Sequence, residues 1–326
     1  MFTNVTYEPT QDASYHSMEG FSFSQIKIVR KKPRLFHGMY IAKPPRWKIE
    51  TTPAMELGTK LHARLLEPDT FDARYPAAGR CEGVLKSGKN VGATCGKSAT
   101  QRTNHGEWFC GVHSKGIDCH EVDCLTDEDS EKLKWMEQSC REDPSIARLI
   151  DCPGQVEYSL FGTHEATGLP SRSRLDKVCE INGGRLILDF KTFYDDPADE
   201  RLVGNAAIAR AYYSQASYYM DMLAALGAPA AGFAFVFVGT APPYDSVLWF
   251  MKEQDLEIGR RHNDKAFHEI KRRLDSGDWH GDKFSRPNMP PNYLTFADWF
   301  YKQTDEAIDY SSDFSEYGIA ESASGE

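Results

Sequence analysis

The chain of 326 residues has no apolar run near the roughly 18 residues that a membrane helix needs. Its first sixteen residues, MFTNVTYEPTQDASYH, lack the basic-then-apolar pattern of a secretory leader. These absences argue against a helical membrane protein and lead to the expectation of a cytoplasmic one. No internal repeat is present, so a solenoid is not expected. No cysteine lies beyond Cys179. A basic balance is also missing, because the net charge is −10.

That acidity is unevenly spread. After Lys302 come Asp305, Glu306, Asp309, Asp313, Glu316, Glu321 and Glu326 with no Lys or Arg. Without those seven acids the remainder carries −3, from −10 plus 7. Lys27, Arg30, Lys31, Lys32, Arg34, Lys43, Arg46 and Lys48 form a basic stretch near the other end. Phosphate contact depends on local charge, so a polyanionic partner is not excluded. A solvated surface face explains the basic stretch equally well. Of the eight cysteines, five fall between Cys81 and Cys124. In a cytosolic chain this clustering favours metal binding or buried thiols over disulfides.

A helix is expected from Thr52, with Thr52 as its cap and Pro53 in its first turn. It would place Gly58, Leu61, His62 and Leu65 on one face. A further helix is expected over 127–140. Residues 154–193 read as a β-meander of strands at 155–161, 171–179 and 185–193, its last turn at Asn182-Gly183-Gly184. A long helix is expected over 205–226, with Asn205 as N-cap and Gly227 as its stop. Its stripe would be Ile208, Tyr212, Gln215, Tyr219, Met222 and Leu226. Strands at 232–238 and 246–251 and a helix over 255–274 follow. The acidic, Ser-rich end reads as disordered. The order implies an α/β or α+β core with a mixed sheet.

The strand Leu186-Ile-Leu-Asp-Phe-Lys-Thr-Phe193 carries the first chemical signal. Alternation points Leu186, Leu188 and Phe190 into a core, and Asp189 and Lys191 together to the other face. A hairpin through Asn182-Gly183 would set Asp176 beside Asp189. Two adjacent carboxylates repel, more so as they lose water, and a divalent cation removes that cost. Oxygen ligands beside a lysine suit Mg²⁺ or Mn²⁺, which can activate water at a phosphate. Glu157 could add a third carboxylate. From spacing alone, a surface ion pair explains Asp189 and Lys191 at least as well. Gln215, on an apolar helical stripe with Tyr219 four residues on, needs hydrogen-bond partners, and a satisfied core glutamine would also fit.

Taken in order, Tyr15-His16, Phe21-Ser-Phe-Ser-Gln-Ile-Lys27, Gly58-Thr-Lys-Leu-His62, the Val-Glu-Tyr-Ser strand around Glu157, Arg174-Leu-Asp176, Leu188-Asp-Phe-Lys-Thr192, Gln215-Ala-Ser-Tyr-Tyr219 and Gly277-Asp-Trp279 resemble the PDDEXK nuclease superfamily. Within it they resemble in particular the RecE-like (exonuclease VIII-type) phage recombination exonucleases. It implies a restriction-endonuclease-like core with a central mixed sheet flanked by helices. It further implies that His62, Glu157, Asp176 and Asp189 bind Mg²⁺ or Mn²⁺, that Lys191 is catalytic, and that Gln215 and Tyr219 position the site or the DNA end. The implied activity is 5′→3′ degradation of double-stranded DNA from its ends in homologous recombination, by a homo-oligomer. The implied partner is a single-strand annealing protein, in a bacterial or phage-infected cell. An endonuclease or nickase on the same core, and a non-catalytic zinc-containing DNA-binding protein, are the alternatives.

The family pattern does not cover residues 79–125. There Cys81-x13-Cys95-x14-Cys110-x2-His113 ends in a knuckle-like Cys-Gly-Val-His. Three thiolates and an imidazole suit a closed, structural Zn²⁺ site. Cys119, His120 and Cys124 remain alternative ligands, and a set of free thiols would also fit. Iron–sulfur relatives in the superfamily place cysteines after the Gln-x-x-x-Tyr helix, where this chain has none. The expected organisation is a His-bearing N-terminal part of the nuclease domain at 1–78, an inserted Cys/His module at 79–125, the nuclease core at 126–303 and an acidic disordered tail at 304–326.

Overall fold

The computed structural model describes residues 1–9, 12–48 and 50–281. The acidic tail at 304–326 and the end of the expected core lie outside the described residues. No described helix is long and apolar enough to cross a membrane.

One six-stranded sheet organises the chain: β1 (Phe2–Tyr7), β2 (Gly154–His164), β3 (Leu169–Ile181), β4 (Gly184–Phe193), β5 (Gly232–Gly239) and β6 (Ser246–Phe250), paired in that order. All neighbours are antiparallel except β4 and β5, so the sheet is mixed, as expected. The β3–β4 turn places Asn182 and Gly183 at φ 51° and 75°, the left-handed pair that a two-residue hairpin requires.

Helices cover both faces: α1 (Asp12–Ser17), α2 (Phe23–Val29), α3 (Pro33–Phe36), α4 (Pro53–Leu66), α5 (Pro68–Arg74), α6 (Asp127–Glu142), α7 (Pro144–Asp151), α8 (Glu200–Arg210), α9 (Tyr212–Ala225) and α10 (Glu253–Ser276). A short π-helical turn spans His37–Ile41. The strand period sorts side chains between two cores. Phe233, Phe235 and Phe237 of β5 join the cluster under α2, α9 and α10, whereas Ala234, Val236 and Val238 join the cluster under α4, α6 and α7.

Several local expectations hold in detail. Thr52 Oγ1 accepts from the Met55 N–H at 3.3 Å, and Pro53 opens α4. Gly227, at φ 84°, terminates α9. The single helix over 205–226 is corrected. The chain breaks at Ala211, which sits at φ 59°, ψ 43°, and α8 begins at Glu200 under an Asp199 cap rather than at Asn205. The expected stripe is cut accordingly, and Ile208 is 70% exposed.

His164 ends β2 with its ring stacked on Phe267 at 4.3 Å and 6°. Burial, aided by the nearby N-terminal amine, lowers its pKa from the usual 6.5 to about 4. The unfolded chain therefore binds the extra proton first as pH falls. The stabilisation from a neutral His164 is present above about 6.5 and declines as pH falls toward about 4. Denaturant midpoints at pH 7 and pH 4.5 should fall less in His164→Gln than in wild type. An equal fall in both would contradict this assignment.

Candidate active site

The site forms where β3 and β4 part. Their ladder ends at Lys177↔Leu188, so the next pair across the sheet is Asp176 and Asp189. The Phe190 N–H donates to Asp176 Oδ2 at 3.0 Å, a side-chain acceptor at the end of the main-chain ladder. The β3 alternation slips here, because Leu175 and Val178, three apart, both enter the same core. Across β2, Val156↔Lys177 and Tyr158↔Leu175 bracket Glu157 opposite Asp176. Glu157 sits at φ 50°, which is costly for a non-glycine residue in a strand and is found where the surroundings hold it in place.

α4 brings His62 against this gap. Its Nε2 lies 2.9 Å from Phe190 O, and its Nδ1 lies 3.3 Å from Asp176 Oδ2. A carbonyl oxygen only accepts, so Nε2 carries the proton and donates to it, leaving Nδ1 as a bare acceptor facing a carboxylate. Burial lowers the His62 pKa, which keeps the ring neutral. The ligand atoms of His62, Glu157 and Asp176 all lie within 4.8 Å of one another. One imidazole nitrogen and two carboxylates converging on one point form a donor set that suits a divalent cation.

The carboxylates are not equally compensated. Asp189 is 1% exposed, and both its oxygens accept from Lys191 Nζ, at 2.8 and 2.7 Å. Its Oδ1 also accepts from Gln215 Nε2 at 2.7 Å, and Tyr219 hydrogen-bonds Gln215. Burial acts to lower the Lys191 pKa, but Asp189 and Asp176 outweigh it and raise it. The ammonium also lies 5.2 Å from the Tyr212 ring centre and 5.6 Å from that of Phe235. Glu157 pairs with Arg174 Nε at 2.5 Å, yet burial and Asp176 raise its pKa to about 7. Asp176 accepts from the Phe190 N–H and faces His62, and burial together with Asp189 raises its pKa well above the usual range.

The structure thus brings His62, Glu157 and Asp176 into one group and places Asp189, Lys191, Gln215 and Tyr219 beside it in a hydrogen-bonded chain. Asp189 stands outside the three-residue group because Lys191 and Gln215 occupy its oxygens. Tyr219, His62, Glu157 and Asp176 line a cavity of about 870 Å³ with Tyr15, Tyr40, Trp47, Lys48, Arg74 and Arg174. Sequence reading missed the Arg174–Glu157 pair and the role of Arg172. The buried Arg172 holds Tyr15 O at 3.1 Å, His16 O at 3.3 Å and Met18 O, tying the N-terminal segment to β3. The strand around them reads Ser-Arg-Ser-Arg-Leu-Asp-Lys, a mixed polar run that announces neither contact. Outside this cavity, Cys81, Cys95, Cys110 and His113 form a second group that could bind a metal.

This fold has been seen before. A crystal structure from Eubacterium rectale named "Putative exonuclease" superposes with a TM-score of 0.53 at 13% identity, covering 96% of this chain and 99% of that one. The two share a fold over nearly their whole length. A Vibrio cholerae structure matches at 12% identity over 84% of this chain and 58% of that one, with a TM-score of 0.19, too low an overlap to bear on the fold. No family profile matches the sequence, and no curated protein matches it.

Asp176→Asn should expose the conflict that these acceptors create. An amide can donate to His62 Nδ1 and brings no charge to the buried trio at any pH. In EDTA the variant should melt about 2–4 °C above wild type, equivalent to about 1 kcal/mol. Added Mn²⁺ should raise the wild-type midpoint and leave that of the variant unchanged. A variant that melts lower in EDTA and still gains from Mn²⁺ would refute this reading.

Proposed function

We propose that the chain is a Mg²⁺-dependent exodeoxyribonuclease that hydrolyses phosphodiester bonds of double-stranded DNA from its ends. The observation that carries this is the convergence of His62 Nδ1, Glu157 and Asp176 beside the Asp189–Lys191 pair, on the wall of one cavity. His62, Glu157 and Asp176 would hold the metal, with Asp189 bordering it. A divalent cation there supplies a polarised phosphate and a more acidic water.

The remaining chemistry belongs to the side chains. Lys191 keeps its proton at neutral pH, because its pKa is raised. It therefore acts as a positive hydrogen-bond donor to the nucleophile or the phosphate rather than as a base. Gln215 fixes Asp189, and Asp189 fixes Lys191, so the ammonium is aimed before substrate arrives. Tyr40 and Trp47 offer stacking faces for an unpaired base, and Lys48 and Arg74 offer charge for its backbone. The 13% identical Eubacterium rectale structure, named "Putative exonuclease", supports a nuclease reading. The 5′→3′ direction and a role in phage-type recombination belong to this proposal through the family resemblance.

The test uses linear duplex DNA labelled at the 5′ or the 3′ end, beside a closed circle, with and without Mg²⁺. The expected result is Mg²⁺-dependent loss of the linear duplex, early release of the 5′ label and an intact circle. Lys191→Ala should slow digestion by about 10²–10³-fold, the usual cost of losing one preorganised donor. A Lys191→Ala enzyme as fast as wild type, or no digestion with Mg²⁺, would overturn the proposal. Nicking of the circle would replace it with an endonuclease.

A further inference from the structure

We infer that Cys81, Cys95, Cys110 and His113 form a closed, structural Zn²⁺ site that folds residues 79–125 and anchors them to α4. The inference stands apart from the nuclease reading, because it concerns a different group of residues and a different metal chemistry.

The segment has almost no apolar support. Neither hydrophobic cluster contains a side chain between Tyr75 and Leu125 among the described residues, and Val84, Val91, Val112 and Ile117 are exposed. Its regular structure consists of two-residue strands, Gly79–Arg80 with Ser98–Ala99, and Gln101–Arg102 with Trp108–Phe109 and His120–Glu121. Such fragments do not hold together through burial alone.

The four ligand atoms instead lie within 4.8 Å of one another. His113 Nδ1 is 3.3 Å from Cys81 Sγ and 3.5 Å from Cys110 Sγ, spacings close to those of tetrahedral sulfur and nitrogen ligands about one metal. Main-chain donors already face the sulfurs. Cys110 accepts from the His113 and Val112 N–H groups, and Cys81 from those of Cys110 and Gly83. Donors of this kind spread the charge of metal-bound thiolates. Gly83 makes room for the imidazole, since a Cβ there would fall 2.5 Å from the His113 ring. The alternative ligands point elsewhere. Cys119 faces Gln101 Oε1 and Ser114 O, the buried Cys124 faces Ala99 O, and His120 is exposed. Three thiols and one imidazole leave no open position for chemistry, which makes the site structural.

The anchor lies two residues from His62. Lys60, 8% exposed, donates to Cys124 O at 3.3 Å and lies 3.7 Å from Asp123 and 3.9 Å from Asp129. Arg80 pairs with Asp127 at the start of α6 at 2.5 Å. The folded module therefore meets, through Lys60, the helix that carries His62.

The test is metal analysis of the full chain purified without chelators from zinc-supplemented medium. One zinc per chain is expected in wild type and in Cys119→Ser and Cys152→Ser, with loss of zinc in Cys110→Ser and His113→Ala. Should those variants misfold, wild type alone decides. Titrating its thiols with an organomercurial should release one zinc to a colorimetric indicator, and stripped protein should become protease-sensitive within 79–125 first. Iron in place of zinc, a wild type well below half a zinc per chain, or zinc retained in Cys110→Ser would overturn the inference. None of these readouts depends on DNA cleavage, so they separate its failure from failure of the nuclease proposal.

Discussion

Repulsion among three carboxylates brought to one point of the sheet is the constraint that orders the surrounding structure. Glu157, Asp176 and Asp189 stand on three successive strands at neighbouring positions of the register. Each is answered differently. Lys191 and Gln215 satisfy Asp189, Arg174 answers Glu157, and Asp176 accepts one N–H and faces His62. The least compensated of the three is therefore Asp176, beside Glu157 and His62. A fold that kept these groups only for stability would have replaced one of them, because unpaired buried charge is expensive. Strain at Glu157 is stored in the same place.

The rest of the fold can be read as support for that arrangement. The parallel β4–β5 pair needs a crossover, and α8 and α9 provide it, delivering Gln215 to Asp189. The break at Ala211 starts α9 afresh at Tyr212, whose ring lies under the Lys191 ammonium. α4 approaches from the opposite face and reaches the site with His62, its Nε2–H spent on Phe190 O so that Nδ1 is presented. The Cys/His module bears on the same helix through Lys60. Two regions with unrelated chemistry thus meet on α4.

Much of this was readable from the residues. The strands, the Asn182-Gly183 turn, the Thr52 cap and the common face of Asp189 and Lys191 follow from alternation and local backbone preference, which act over a few residues. The break at Ala211 was not readable, because alanine favours helix and only tertiary packing holds it at positive φ. The Glu157–Arg174 pair was equally hidden, since it depends on a slip in β3 that no local pattern announces. Spacing alone left Asp189 and Lys191 as an ordinary ion pair. What distinguishes them is the burial of Asp189 and the arrival of Gln215 from another element, both properties of the folded chain.

The central claim is that His62, Glu157 and Asp176 share one divalent cation. Crystals grown with Mn²⁺ and measured for its anomalous scattering test it most directly. The account predicts one strong peak among His62 Nδ1, Glu157 and Asp176, at about 2.0–2.3 Å from each ligand atom. Strong Mn²⁺ peaks elsewhere with none between these three residues would contradict it.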